Sequence, residues 1–228
     1  MGLVPQHAVE EKRSLAGSSE VRKRRMHPKL AEYIDRAGWE INAIPEDRKR
    51  LLEEVAAFVS SARQAGNSAE LTFICTHNSR RSHMGQLWAA AAAAHCGIDG
   101  VRTYSGGTEA TAFNPRAVAA MEKAGFVIDK SGGDNPRYLA SFDEGGPVIE
   151  CFSKTYDDPV NPTEDFAAIM TCSEADEACP VVLGAALRAP IWYEDPKVVD
   201  GTPKEAAAYD ERCLQIATEM LYLFSRVT

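Results

Sequence analysis

Apolar and polar positions fall into two alternating rhythms from about residue 45 onward. Leu52, Val55, Ala56 and Val59 recur at helical spacing between Pro45, suited to a first turn, and Gly66, suited to a stop, which predicts a helix over 45–65. A short β-prone run, Leu71–Ile74, follows. From Arg81 through Met84, Leu87, Trp88 and the alanine run to His95 the chain favours helix until Gly97 ends it. Val101–Tyr104 is the next apolar run, and Pro115–Ala124 reads as a helix capped by Asn114 and terminated by Gly125. Phe166–Met170 predicts a third strand and Ala189–Trp192 a short fourth one. Thr202, Pro203 and Glu205 read as a capping box for a last helix, whose apolar stripe is Ala206, Leu214, Ala217, Leu221 and Phe224.

Strands alternating with helices are the signature of parallel βαβ units. They predict one α/β catalytic domain over 70–228, with a four-stranded parallel sheet and helices on both faces, preceded by an N-terminal helical extension over 27–69. Residues 1–26 lack a periodic apolar pattern and are expected to form a disordered tail, in which the basic run Arg22–Arg25 reads as solvated charge. Residues 130–164, rich in Gly, Asp, Pro and aromatics, are too long for an ordinary loop. They form an insertion that either carries function or is a surface excursion with small elements of its own.

With Lys+Arg 25 against Asp+Glu 33, the 228-residue chain has a net charge of -8, which argues against nucleic acid or an anionic membrane as partner. No apolar stretch reaches spanning length and the N-terminus lacks a secretory core, so a cytoplasmic protein is expected. The six cysteines then read as reduced or redox-active thiols rather than a disulfide framework. No CxxC pair occurs and the histidines miss zinc-ligand spacings, so no metal is expected. Cys96 and Cys213 read as packed thiols, with Cys151 left open.

Chemistry concentrates where the first strand meets the next helix. Cys75 ends the apolar run, and Thr76, His77, Asn78, Ser79, Arg80, Arg81 and Ser82 lead into the helix. Unpaired amides of a first helical turn attract a tetrahedral oxyanion, Arg81 can grip two of its oxygens, and the same field favours a thiolate at Cys75. Such a thiolate attacks the central atom of the anion held by the loop. After the third strand, Cys172 and Cys179 flank a polar, helix-prone segment near the expected crevice of an open sheet. Two residues seven apart on a helix are too distant to bridge unless the helix unwinds. Asp195, with Pro196, follows the fourth apolar run and suits a general acid; Glu194 is an alternative, and Asp158 with Pro159 has the same form inside the insertion.

Cys75 to Ser82 resembles the phosphate loop shared by low-molecular-weight protein tyrosine phosphatases and thioredoxin-coupled arsenate reductases. The likeness runs from about Glu70 to Val227, with gaps across the insertion, and includes Ser105-Gly106-Gly107-Thr108-Glu109 and Asn114-Pro115. It departs at His77, where glycine is common, at Lys197, where the phosphatases carry tyrosine, and at Gln86, where potassium-binding reductases carry glutamate, so that cation site is not carried over. The resemblance implies an arsenate reductase with no bound cofactor, in which Cys75, Cys172 and Cys179 form a relay recycled by external thioredoxin and Asp195 protonates the departing hydroxide. It implies equally a phosphomonoester or phosphotyrosine phosphatase using Cys75, Arg81 and Asp195. A noncatalytic oxyanion or redox sensor is the alternative of another class.

Overall fold

The computed structural model describes residues 26–179 and 181–228; apart from Met26, the expected tail with its basic run lies outside the described residues. Two helices, α1 (Pro28–Trp39) and α2 (Glu46–Gln64), precede β1 (Ala69–Cys75), α3 (Arg81–His95), β2 (Val101–Gly107) and α4 (Pro115–Ala124). Then come β3 (Val127–Lys130), β4 (Tyr138–Ser141), β5 (Ile149–Cys151), β6 (Phe166–Met170), α5 (Ser173–Ala178), β7 (Ala185–Pro190) and α6 (Glu205–Ser225). None of the helices among the described residues is long and apolar enough to cross a membrane.

The main sheet has the order β2-β1-β6-β7 and is parallel throughout, as expected. Its strands carry near-continuous apolar runs because both faces are covered. On one face Leu71, Phe73, Ala167, Ile169 and Ala189 pack with Leu52, Val55, Trp88, Ile216 and Met220 from α2, α3 and α6. On the other, Ile74, Phe166, Ala168 and Met170 meet Ala175 of α5 and Val182. β1 lies between β2, which follows it, and β6, which arrives much later, so strand order reverses there. The crevice beyond the carboxyl ends of β1 and β6 is therefore the place a doubly wound sheet offers a ligand.

Helix α3 lies almost entirely in the interior. Small residues make that possible: a β-carbon at Gly85 would run into the Phe73 ring, and Ala89, Ala91, Ala92 and Ala93 are all buried. Asn114 accepts from the Arg116 amide at 2.9 Å and Gly125 ends α4 with φ 110°, so α4 has the bounds its caps predict.

β1 and β2 extend beyond the predicted Leu71–Ile74 and Val101–Tyr104, and two further boundaries differ from expectation. The fourth strand is Ala185–Pro190 rather than Ala189–Trp192. Pairing with β6 sets its register, and Pro190 opposite Met170 is the last partner, since proline has no N–H to extend a ladder. Thr202 does not cap α6, which begins at Glu205 without a side-chain cap. Instead Thr202 Oγ1 accepts from the Lys204 amide and Glu205 takes the Gly201 amide and Arg116, so the box residues close a turn ahead of the helix. The 130–164 stretch joins β3, β4 and β5 into an antiparallel sheet that sends Tyr138, Ala140, Phe142 and Cys151 into the main core. It is a packed subassembly, and it carries Ser153–Tyr156 back to the crevice.

Candidate active site

Cys75, the last residue of β1, is 3% exposed. The chain then turns sharply, with buried Asn78 at φ 42°, a left-handed conformation that asparagine tolerates better than most residues. Outside donors hold the loop's carbonyls: Cys75 O accepts from Thr108 N, Thr76 O from Glu109 N, His77 O from Ser153 Oγ and Thr111 Oγ1, and Ser79 O from Asn114 N. A trans peptide points its N–H opposite its C=O, so tying these carbonyls outward leaves the amides of Thr76, His77, Asn78 and Arg80 to face inward.

Asn78 braces the loop from both ends of its amide. Its Oδ1 accepts from Lys154 N at 2.9 Å, and its Nδ2 donates to Ser82 Oγ at 2.9 Å. Ser82 Oγ lies 3.1 Å from Cys75 Sγ. With the Asn78 N–H directed into its oxygen, the Ser82 hydroxyl has its own hydrogen to donate to a thiolate. Beneath the loop, His83 stacks on Phe113 with ring centroids 4.1 Å apart and meets Ser105 Oγ at 3.1 Å. Burial, reinforced by the nearby Lys154 ammonium, lowers its pKa to about 3 and keeps it neutral.

Arg81 opens α3. Its Nη1 donates to Tyr193 O at 2.9 Å and its Nη2 to Asp195 Oδ2 at 3.0 Å, while the buried Nε has no partner among the described residues. An unpaired buried guanidinium N–H beside inward amides is a donor available to an anion. Asp195 heads the turn Pro196–Val199, where its Oδ1 accepts from the Lys197 amide at 3.0 Å. Of the alternatives, the Glu194 side chain is 94% exposed and 3.9 Å from Arg212, and Asp158 Oδ1 accepts from the Val160 amide within the insertion. Asp195 is the carboxylate brought onto Arg81.

Cys172 follows β6 as the N-cap of α5, fully buried, with its sulfur 3.5 Å from Thr76 Oγ1. It thus stands against the residue next to Cys75 and shares the second-face apolar cluster with it. Burial pushes the Cys172 thiol up, opposed by the hydrogen bond to Thr76 and by Arg81. Cys179 caps the opposite end of α5 and is partly exposed. Arg188 of β7 holds that end through Cys179 O at 3.2 Å and Asp176 O at 2.6 Å, and pairs with the Asp176 carboxylate. Cys151 and Cys213 are buried thiols pushed up by burial to about 12 and about 11. Among the described residues no cluster of three or more His, Cys, Asp or Glu is placed to hold a metal.

The sequence model of the low molecular weight phosphotyrosine protein phosphatase family matches residues 70–143, the span from β1 to just beyond β4. An arsenate reductase of Bacillus licheniformis is 31% identical over 142 residues, 61% of this chain and 83% of that protein. The chain belongs to the arsenate reductase and low-molecular-weight phosphatase superfamily. Like other members of that superfamily it is a cysteine-dependent enzyme. An arsenate reductase of Bacillus subtilis is 29% identical over 140 residues, with the same shares of 61% and 83%. A low-molecular-weight phosphotyrosine phosphatase of Vibrio cholerae O395 superposes with TM-score 0.46 and 13% identity, over 69% of this chain and 95% of that one.

Several residues around the loop have no local mark in the sequence. Tyr193 contributes a carbonyl, Ser153 and Lys154 brace the loop from the insertion, and Tyr209 reaches it from α6. Their placement follows from packing between distant elements.

Proposed function

We propose that the enzyme reduces arsenate to arsenite through a three-cysteine relay that thioredoxin recycles. The observation that supports this reading is Cys172, buried against Thr76 beside the Cys75 loop, at the head of a short helix whose far end carries partly exposed Cys179. Hydrolysis of an ester has no use for that pair.

The loop amides from Thr76 to Ser82 and Arg81 hold arsenate while the Cys75 thiolate attacks arsenic and Asp195 protonates the departing hydroxide, which leaves as water. Cys172, as thiolate, then attacks the Cys75 sulfur. The S–As bond breaks, its electron pair stays on arsenic as arsenite, and a Cys75–Cys172 disulfide forms. Cys179 attacks Cys172, freeing Cys75 and leaving a Cys172–Cys179 disulfide. A dithiol reductant such as thioredoxin takes over that disulfide and returns both thiols. Because about seven residues of helix span roughly 10 Å while bridged Cα atoms lie within about 7 Å, α5 unwinds at this step and Arg188 lets go.

Phosphomonoester hydrolysis through a phosphocysteine is the second reading, favoured by the match to the phosphatase family and by the sufficiency of Cys75, Arg81 and Asp195. The test is arsenate reduction coupled to thioredoxin, its reductase and NADPH, run beside hydrolysis of an aryl phosphate, for wild type and Cys172→Ser. Reduction abolished with hydrolysis retained is the expected result. Brisk hydrolysis with no wild-type reduction would overturn the reductase reading.

A further inference from the structure

The two arginines of the loop have different surroundings. Arg81 reaches Tyr193 O and Asp195 and keeps one N–H unused, whereas buried Arg80 has its Nε donating to Tyr209 Oη at 3.0 Å. Its Nη1 stands 3.8 Å from Asp195 Oδ2, the same oxygen that takes Arg81. The Tyr209 hydroxyl in turn donates to Asp200 Oδ1 at 3.0 Å. Asp195 and Asp200 are the two residues that flank the turn Pro196–Val199. One chain of contacts, anchored on α6 through Tyr209, therefore touches both ends of the segment that carries the acid.

We propose that Arg80 is a positioning residue for the general acid, holding Asp195 over the leaving atom when Arg81 turns to the bound oxyanion. This rests on the reading of Asp195 as the acid. In the structure Asp195 Oδ2 depends on both guanidinium groups, and its side chain is 24% exposed. An oxyanion gripped in two places needs the fork that Arg81 now shares with Asp195 and Tyr193 O. Once Arg81 is drawn to the anion, the carboxyl keeps Arg80 and the Lys197 amide, without which it rotates toward solvent. Arg80 is suited to stay, because its Nε is committed to a tyrosine on a core helix rather than to any group of the substrate. Its backbone amide still belongs to the oxyanion loop; its side chain serves the acid. The step assisted is transfer of the Asp195 proton to the bridging oxygen as the bond from that oxygen to the central atom breaks and the bond from Cys75 sulfur forms.

The test uses a series of aryl phosphates whose leaving phenols differ in pKa, with kcat/KM reporting attack by Cys75. Departure of a poor leaving group needs the acid; departure of a nitrophenol needs it far less. Wild type should show little dependence on the leaving group and Asp195→Asn a steep one. Arg80→Met and Tyr209→Phe should lower turnover of both substrates, with phenyl phosphate losing about 10-fold more than a dinitrophenyl phosphate, a fraction of the roughly 100-fold or greater worth of a general acid. Tyr209→Phe removes one hydroxyl and keeps the ring, so it controls for misfolding of the arginine variant. In the Arg80→Met, Asp195→Asn double variant the dependence should be no steeper than in Asp195→Asn alone. Equal losses for all leaving groups in both Arg80→Met and Tyr209→Phe, with Asp195→Asn still steep, would overturn the role of Arg80 alone. A flat Asp195→Asn profile would overturn the underlying reading of Asp195 as well.

Discussion

Ser82 couples the shape of the loop to the reactivity of its thiol. It accepts from Asn78 and faces Cys75 at 3.1 Å, so one hydroxyl links the brace to the Cys75 sulfur. Hydrogen bonds to charged groups are worth about 1.5–3 kcal/mol, so Ser82→Ala should lower kcat/KM by about 10–100-fold, and the buried Asn78 Nδ2 left without its acceptor should cost about 1–3 kcal/mol of stability. Steady-state kinetics beside urea melts separate the two effects. His83 makes a prediction about acid. The unfolded chain protonates this imidazole near 6.5 but the folded one resists until about 3, so the native state binds fewer protons between those values and loses stability as pH falls. The slope is up to about 1.4 kcal/mol per pH unit. His83→Gln should flatten it when unfolding free energies at pH 7 and pH 4 are compared. Cys75, Arg81 and Ser82 are legible from sequence because their chemistry is local to a strand end and a helix start. Tyr209 and Lys154 are not, since they lie 129 and 76 positions from their loop partners and no spacing rule connects them.

At the scale of elements, the turn after β1 and helix α5 carry the sharpest expectations. A β-carbon at Gly107 would stand 2.6 Å from Asn78 N and 2.7 Å from Thr76 O, backbone atoms that cannot step aside without moving the loop. Gly107→Ala should therefore weaken inhibition by inorganic phosphate more than tenfold and cost about 1–3 kcal/mol of stability. Calorimetric titration and denaturant unfolding provide both readouts. For α5, burial holds Cys172 in its thiol form at neutral pH, and in the proposed relay only its thiolate can attack Cys75. Formation of the Cys75–Cys172 disulfide should accelerate as pH rises from 7 into the alkaline range, followed by acid quench and mass mapping in Cys179→Ser. Helices with clear caps, such as α4, have the bounds expected of them. The antiparallel β3–β5 sheet is not legible in the sequence, because its strands are short and pair across a Gly- and Asp-rich stretch that has no period of its own. The fourth strand shifted for the same kind of reason: a partner strand decides where pairing stops.

The molecule as a whole ties helix α2 to the segment that carries Asp195. Arg48 of α2 donates to Glu219 of α6 at 2.8 Å and to Trp192 O at 3.0 Å, and its guanidinium lies 4.8 Å from the centre of the Tyr193 ring. Tyr193 in turn donates to Glu219 at 2.7 Å and offers its carbonyl to Arg81. Breaking a buried pair leaves its partner's charge stranded, so Arg48→Met should cost about 3–5 kcal/mol, and the double change with Glu219→Gln should recover part of that. Urea unfolding of the single and double variants checks the coupling, and an accompanying loss of turnover would show that α2 supports the site.

By itself the chain determined whatever depends on neighbours in sequence: alternating strands and helices, the α4 caps, the thiol beside an arginine at a helix start, and the spacing of Cys172 and Cys179. Tertiary structure decided which carboxylate meets Arg81, that Cys172 lies against Thr76, and that an insertion, a core tyrosine and an N-terminal arginine brace the same crevice. Backbone propensity and capping act over a few residues, whereas register, burial and convergence are settled only when a parallel sheet brings strand ends from distant parts of the chain to one edge.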